Sequence, residues 1–464
     1  MDIHVDLAGR GDLSARIYRA LLDAIVDGRL RPGEKLPPTR ELAQRLEVSR
    51  TTVTDAYDRL TAEGFLIGRV GAGTFVSTQP TQRAERRALG GVARPRELWS
   101  SLPPPVSTPW LDYDFRLGAP DGRLFPMETW RRLVTRELRV KVVRNFDYGD
   151  PSGHPALRAA IARYFGVSRS VRAGADDVLV TQGAQQALDL IGRVLVAPGD
   201  VVAVEEPGYV PARRLFQSLG ASVVPVPVDA AGLDVSALPP TARLVYTTPS
   251  HQFPLGTPMS LERRTALLAW AEAQDAVVVE DDYDSEYRFS DRPLEPLQSI
   301  DRGGRVVYVG SFSKTMAPML RLGFVVAPES LRSALRTAKQ LTDWHGDVIA
   351  QAALAAFLDE GLLARHVRKA TREYAARHAL LVSTVERDFP WLTLVPSAAG
   401  LHLCVRSSVD VSGVVERARA VGVGVQALAD FCLGPVRQGL VLGYGAISQE
   451  RIVEGLRRLA EVFD

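Results

Sequence analysis

Lys314 stands in GSFSKTMAPMLRLGF, between an apolar run and an arginine, Arg321, seven residues on. The chain uses arginine almost throughout, and its only lysines are Lys35, Lys141, Lys314, Lys339 and Lys369. Arginine does not give up its proton and cannot act as a Schiff-base amine, whereas a lysine held near apolar or cationic groups can, so a lysine here has a chemical reason. The Ser311 and Ser313 hydroxyls and the Arg321 guanidinium are groups expected around a phosphate dianion. EDDYDSEY adds a carboxylate, Asp281, at the end of another apolar run, and a phenol, Tyr283, two residues later. A buried carboxylate can pair with a protonated ring nitrogen, and a phenol can hydrogen-bond a ring oxygen. In TQGAQQAL, Gly183, Ala184 and Gln185 open a helix whose free N–H groups suit phosphate. Each motif also has a plain reading: a surface lysine, a solvated strand end, a helix cap. Their combination carries the weight.

Short apolar runs, VLVTQG, VVAVEEPGY, ARLVYTTP, AVVVEDDY and RVVYVGSFSK, alternate with helical stretches and must position these groups. That alternation predicts an α/β architecture, a mainly parallel sheet covered by helices. Ligand-bearing residues in such sheets sit just past the strand ends, where the candidates lie. Together and in this order the motifs resemble a fold type I aminotransferase domain over about residues 112–464. The resemblance implies pyridoxal 5'-phosphate (PLP) joined to Lys314, with Asp281 on the pyridine nitrogen and Tyr283 on the 3'-oxygen. It also implies phosphate contacts from Gly183, Ala184, Gln185, Ser311, Ser313 and Arg321. Tyr148, in FDYGDPSGHPALR, matches a tyrosine that reaches the neighbouring subunit's phosphate, so a homodimer is implied too. Tyr209, in EEPGY, is expected over the cofactor ring. Two departures stand out. SHQFPLG puts Gln252 roughly where an asparagine would bind the 3'-oxygen. Val441, in GLVLGYG, falls where an arginine would clamp an α-carboxylate, with Arg437 nearby.

The first eighty residues read differently. Ile17, Leu21, Ala24 and Ile25 recur at helical spacing and Gly28 follows, predicting a helix from about Ser14 to Asp27. A second helix is expected from a cap at Thr39, and a third from a cap at Ser49, its Val53, Ala56, Tyr57 and Leu60 facing a core. Arg50, Thr51, Thr52 and Thr54 then lie exposed near its N-terminus, the geometry of a recognition helix. FLIGRV and TFVS, joined by GAG, predict a hairpin wing. The run LPPTRELAQRLEVSRTTVTDAYDRLTAEGFLIGRVGAGTFV is similar to the winged helix-turn-helix domain of GntR-type regulators. That resemblance implies DNA contacts from Arg40, Arg50, Thr51 and Thr52 beside the Ser49 cap, with the wing around Gly71 and Gly73 in the minor groove.

The expected organisation is therefore a winged helix-turn-helix over residues 1–78, a linker over 79–111 rich in proline, glycine, serine and arginine, and the PLP domain over 112–464. Within the linker, ERRAL has the pattern of one helical turn. A net charge of +2 gives no bulk electrostatic reason for nucleic-acid binding, so any DNA contact depends on local placement. Two cysteines, Cys404 and Cys432, cannot form a disulfide framework and have no zinc-ligand spacing, and no long uncharged apolar stretch appears. A cytoplasmic protein without a metal centre is expected. A GntR-type head followed by an aminotransferase-like domain resembles the MocR, or GabR-like, regulators. The resemblance implies a regulator that binds operator DNA and senses PLP or a small aldimine-forming amine. Val441 favours PLP itself, with control of vitamin B6 genes; a working aminotransferase carrying a DNA-binding head is the alternative.

Overall fold

Apolar side chains at helical spacing bury one face of each of the first three helices. These are α1 (Leu13–Val26), α2 (Thr39–Arg45) and α3 (Arg50–Ala62), followed by the hairpin strands β1 (Leu66–Arg69) and β2 (Gly73–Val76). In the computed structural model, residues 12–78, 91–104, 109–139, 148–289, 295–397 and 399–463 are described, and the chain forms two compact units, Met1–Ser101 and Leu102–Asp464. In the first unit Ile17, Leu21, Val53, Ala56 and Leu60 close around Leu36, Phe65 and Val76. Fully burying aliphatic chains of this size stabilises by about 1.5–3 kcal/mol each.

The caps differ in part from expectation. Asp12 caps α1, which starts at Leu13, one residue before the expected Ser14, its carboxylate accepting from the backbone N–H of Ser14 and Ala15. Pro38 precedes α2 without a side-chain cap, and Thr39 is the first helical residue. Ser49 caps α3 through the Thr52 N–H at 3.1 Å. A short helix, α4 (Glu97–Ser101), interrupts the segment expected as a linker; ERRAL lies outside the described residues.

The second unit begins with β3 (Tyr113–Asp114), α5 (Met127–Glu137) and α6 (Pro155–Arg169). Its main sheet is built from β4 (Val178–Thr181), β5 (Val201–Glu206), β6 (Ser222–Asp229), β7 (Gly232–Leu233), β8 (Ala242–Thr247), β9 (Val277–Asp282), β10 (Val306–Ser311) and β11 (Gly323–Val326). The strands lie in the order β4-β11-β10-β9-β8-β5-β6-β7, parallel from β10 through β6, with β11 antiparallel to both of its neighbours. The helices between them are α7 (Gly183–Leu195), α8 (Val210–Ser218), α9 (Leu261–Ala273) and α10 (Leu297–Ile300). Because strand residues alternate faces, Val202, Val204, Val279 and Val307 pack with α7 and α8, while Ala203, Val245 and Val278 pack with α9.

The remainder comprises α11 (Glu329–Asp343), α12 (Val348–Asp359), α13 (Leu362–Asp388), β12 (Leu392–Leu394), β13 (His402–Ser407), α14 (Val414–Ala420), β14 (Val423–Gly424), β15 (Gln426–Ala427), β16 (Gly439–Gly443) and α15 (Gln449–Glu461). Here β12-β13-β16-β15 form a second sheet, and β14 pairs with β3. None of the described helices is long and apolar enough to cross a membrane.

Candidate functional sites

The polar candidates of the second unit collect at the carboxyl ends of the parallel strands. Lys314 follows β10, Tyr283 follows β9, and Tyr209 follows β5 as the residue capping α8. The Lys314 amine donates to the Gly118 carbonyl at 2.6 Å. Gly118 has φ +69°, a backbone that favours glycine, and a Cβ there would come within 2.6 Å of that amine and displace it. Desolvation lowers the Lys314 pKa; the nearby carboxylates of Asp284 and Asp281 oppose this, and Arg321 adds to it. A lysine so placed releases its proton more readily than a solvated one.

Asp281, the last residue but one of β9, has only 4 % of its surface exposed. Its Oδ2 accepts from the Tyr246 hydroxyl at 2.8 Å, while Oδ1 is buried without a hydrogen-bond partner. Desolvation raises the carboxyl to about 7, against the hydrogen bond from Tyr246. A buried acceptor with nothing to accept from carries a cost that a ring N–H would remove, so the site fits a protonated pyridine nitrogen.

The phosphate candidates lie at the start of α7, at and after the end of β10, and just before β11. Gly183 opens α7 at φ +73°, and its preceding residue makes no side-chain cap, leaving the helix's first N–H groups, including those of Ala184 and Gln185, without a cap side chain. The Arg321 guanidinium donates to the Gln182 carbonyl at 2.8 Å, and a Cβ on Gly183 would meet it at 3.0–3.1 Å. Arg321 holds a left-handed backbone, φ 51°, unusual for a residue with a side chain. Ser311 is buried at the end of β10 and accepts from the Ser313 backbone N–H at 3.1 Å. Helix N–H groups beside a guanidinium suit an anion, and the hydroxyls at and after the end of β10 are groups of the same kind.

Other candidates are placed less directly. Tyr209 packs its ring against Phe253 at 5.5 Å, and desolvation raises its phenol to about 12. Tyr148 is 73 % exposed and stacks on Trp344 at 4.9 Å, so its ring faces away from this chain's own core. Gln252 is a correction. Its amide N–H groups go to Glu205, the Pro207 carbonyl and the Phe253 carbonyl, and its oxygen accepts from Leu255 N–H, which leaves nothing to reach a cofactor oxygen. Phe253, the residue before Pro254, takes the position instead, its ring 6.0 Å from that of Tyr283. Val441 is fully buried with Leu255, Cys404, Leu428 and Phe431, and Arg437 points to the Glu206 carbonyl at 3.4 Å.

Three participants escaped sequence reasoning: Tyr246, His251 and Asp284. Tyr246 is a phenol inside an apolar strand, and that polar tip was the signal available. His251 and Asp284 form a buried pair, Nδ1 to Oδ1 at 3.0 Å, and the Tyr283 hydroxyl donates to the His251 carbonyl at 2.9 Å.

In the first unit, Arg40, Arg50 and Thr51 are exposed and Thr52 is half-buried. Arg50 Nε donates to Thr39 Oγ1 at 3.4 Å, which links the start of α3 to the start of α2. The Ser49 hydroxyl is engaged by the cap and by Thr52 Oγ1 at 2.7 Å, so it orders the helix start more than it projects from it. Gly71 (φ +75°) lies in the turn between β1 and β2 and Gly73 (φ +110°) opens β2, with Val70 fully exposed in that turn. Arg69 and Lys35 flank the wing over the Phe75 ring at 4.9 and 5.9 Å, two basic groups the sequence pattern did not single out.

Comparison with known proteins follows the same division. Residues 13–76 match the family of bacterial regulatory proteins, gntR family, and residues 117–408 match aminotransferase class I and II. The chain is 39 % identical to the probable rhizopine catabolism regulatory protein MocR of Rhizobium meliloti, over 97 % of this chain and 93 % of that one. It is 33 % identical to the pyridoxine biosynthesis transcriptional regulator PdxR of Corynebacterium glutamicum, over 92 % and 91 %. The crystal structure of the Pyrococcus horikoshii kynurenine aminotransferase superposes with a TM-score of 0.70 at 30 % identity, covering 75 % of this chain and 90 % of the enzyme.

Proposed function

This chain belongs to the MocR-type transcription regulators of the GntR family, and from that premise we propose that it holds PLP on Lys314 and adjusts its grip on operator DNA in response. The observation that carries the reading is the buried, unpartnered Asp281 Oδ1 in the same strand-end cluster as the desolvated Lys314 amine and the anion cradle of α7 and Arg321. Bound PLP supplies an aldehyde that condenses with a primary amine with loss of water, a reversible covalent anchor. The protein's part is to hold it. Asp281 takes the ring N–H, Tyr283 the ring oxygen, and Gly183, Ala184, Gln185, Ser311, Ser313 and Arg321 the phosphate, with Tyr209 along the ring. Tyr148 serves the phosphate of a second subunit in a homodimer. In the first unit Arg40, Arg50, Thr51, Thr52 and the wing contact operator DNA, Arg50 by forked donation to base edges or phosphates.

The effector is PLP itself, and the regulated genes are those of vitamin B6 supply. Val441 supports this, because a valine sealed among Leu255, Leu428 and Phe431 cannot hold an amino acid's α-carboxylate. The likeness to a pyridoxine biosynthesis regulator points the same way. For PLP to act as a signal it must bind one arrangement of the DNA heads better than another; a tenfold difference corresponds to about 1.4 kcal/mol.

Borohydride reduction of the PLP-loaded protein, followed by peptide mass mapping, tests the anchor. The tag is expected on the peptide containing Lys314 and absent from Lys314→Ala. A tag on another lysine, or none, overturns the reading.

A further inference from the structure

The phenol assigned above to the ring oxygen of PLP is itself held from behind. Tyr283 donates to the His251 carbonyl at 2.9 Å, and its oxygen lies 3.1 Å from His251 Nδ1. The same Nδ1 lies 3.0 and 3.2 Å from the two oxygens of Asp284, and Nε2 is 3.1 Å from Ser397 Oγ. A carboxylate only accepts, so Nδ1 carries a proton toward Asp284; on the other side the Ser397 hydroxyl lies between Nε2, at 3.1 Å, and the Ala399 carbonyl, at 3.3 Å. The Nδ1–H is shared between Asp284 and the Tyr283 oxygen. When the phenol proton turns from the His251 carbonyl to another acceptor, the phenol oxygen still has Nδ1–H to accept from. Hydrogen bonds in such a chain polarise one another, more so away from water, and His251 and Asp284 are 2 % and 1 % exposed.

The surroundings are built for this pair. A Cβ on Gly400, at φ +81°, would come within 2.1 Å of His251 Cε1 and 2.5 Å of Asp284 Oδ2, so glycine leaves the pair its space. With Gln252 engaged in its own loop and Phe253 presenting only a ring, no amide from this loop shares the ring oxygen with Tyr283. The other titratable groups near His251 are engaged elsewhere. The His402 ring lies 4.8 Å away but directs Nε2 to the Pro254 carbonyl, His378 bonds the Ser397 carbonyl, the Tyr444 hydroxyl bonds the Gly400 carbonyl, and Lys314 donates to Gly118.

We propose that His251, fixed by Asp284 on one side and Ser397 on the other, is a positioning residue that keeps Tyr283 a strong donor toward the ring oxygen of bound PLP. The proposal rests on the reading that PLP is anchored at Lys314. Donation to that oxygen stabilises its anionic form, which eases proton loss from the adjoining nitrogen and lowers the pH at which the visible band of the PLP-loaded protein changes.

The test is a pH titration of that band in the full-length, PLP-loaded protein as wild type, His251→Gln, Tyr283→Phe and the double variant. His251→Gln is expected to raise the midpoint by about one pH unit, a tenfold change in proton affinity. Tyr283→Phe should raise it at least as far, and the double variant no further than Tyr283→Phe alone, as for residues acting through one another. Ser397→Ala, which removes the hydroxyl beside Nε2 together with its bond to the Ala399 carbonyl, should give a smaller rise in the same direction and serves if His251→Gln does not fold. An unmoved midpoint in the foldable variants, or a His251→Gln shift that persists in full in the Tyr283→Phe background, overturns the proposal. Uptake of one zinc ion per chain by the wild type, lost in His251→Gln, would also overturn it. A wild type with no visible band on PLP addition instead overturns the anchor at Lys314, and this proposal with it.

Discussion

Replacing Asp281 by asparagine removes a carboxyl that desolvation raises from 3.8 to about 7. At 1.36 kcal/mol per pH unit, that rise corresponds to about 4 kcal/mol of pH-dependent stability, as an order of magnitude. The folded carboxyl keeps its proton up to about 7, whereas the unfolded one releases it near 3.8. The folded state therefore binds more protons within that window, and stability falls as pH rises through it. Glu280 and Glu286, raised by burial to about 7 and about 8, add a slope of the same sign, so the informative quantity is the difference between wild type and variant. Denaturant unfolding of the apo protein at about pH 5 and about pH 8 covers about two pH units of that window and should show the wild type losing about 2–3 kcal/mol more than Asp281→Asn across the interval. Saturation with PLP should flatten that difference, because the ring N–H then pairs with the orphaned Oδ1. Parallel pH dependence of wild type and variant without PLP would refute the argument that burial alone sets this carboxyl.

Three further outcomes follow from the same geometry. Arg50→Ala should weaken binding to a duplex selected from a random pool by about 1–3 kcal/mol, measured by fluorescence anisotropy, while the PLP band is unchanged. Gly183→Ala combines a positive φ with a Cβ 3.0 Å from the Arg321 guanidinium; it should weaken PLP binding in a spectroscopic titration, at a folding cost of about 1 kcal/mol. Val441→Arg places an unpaired charge among Leu255, Leu428 and Phe431 and should destabilise the second unit by about 3–5 kcal/mol in denaturant unfolding, without conferring amino-acid turnover.

Much of this was legible because periodicity and strand ends are local. The apolar spacing of Ile17, Leu21 and Ala24, and of Val53, Ala56, Tyr57 and Leu60, announces α1 and α3, and these side chains are the buried ones. Lys314 and Tyr283 follow β10 and β9 because an apolar run ending in polar residues marks a buried strand emerging at its carboxyl end. Side-chain direction was not legible. Gln252 has the right neighbourhood, yet the fold of its loop turns the amide toward Glu205. The helix expected from about Ser14 begins at Leu13, because the Asp12 carboxylate accepts from the N–H groups of Ser14 and Ala15. Tyr246 and His251 were missed because their partners, Asp281 and Asp284, lie 35 and 33 residues away, and the parallel packing of β8 beside β9 brings the strand residues, and the segments that follow them, together.

The central claim, that a ligand held at Lys314 governs DNA binding, is tested most directly by titrating PLP into apo protein bound to its selected duplex, for wild type and Lys314→Ala. The account predicts at least a tenfold change in wild-type affinity, about 1.4 kcal/mol, and none in the variant. Equal affinity with and without PLP in a wild type whose visible band has fully formed would contradict it.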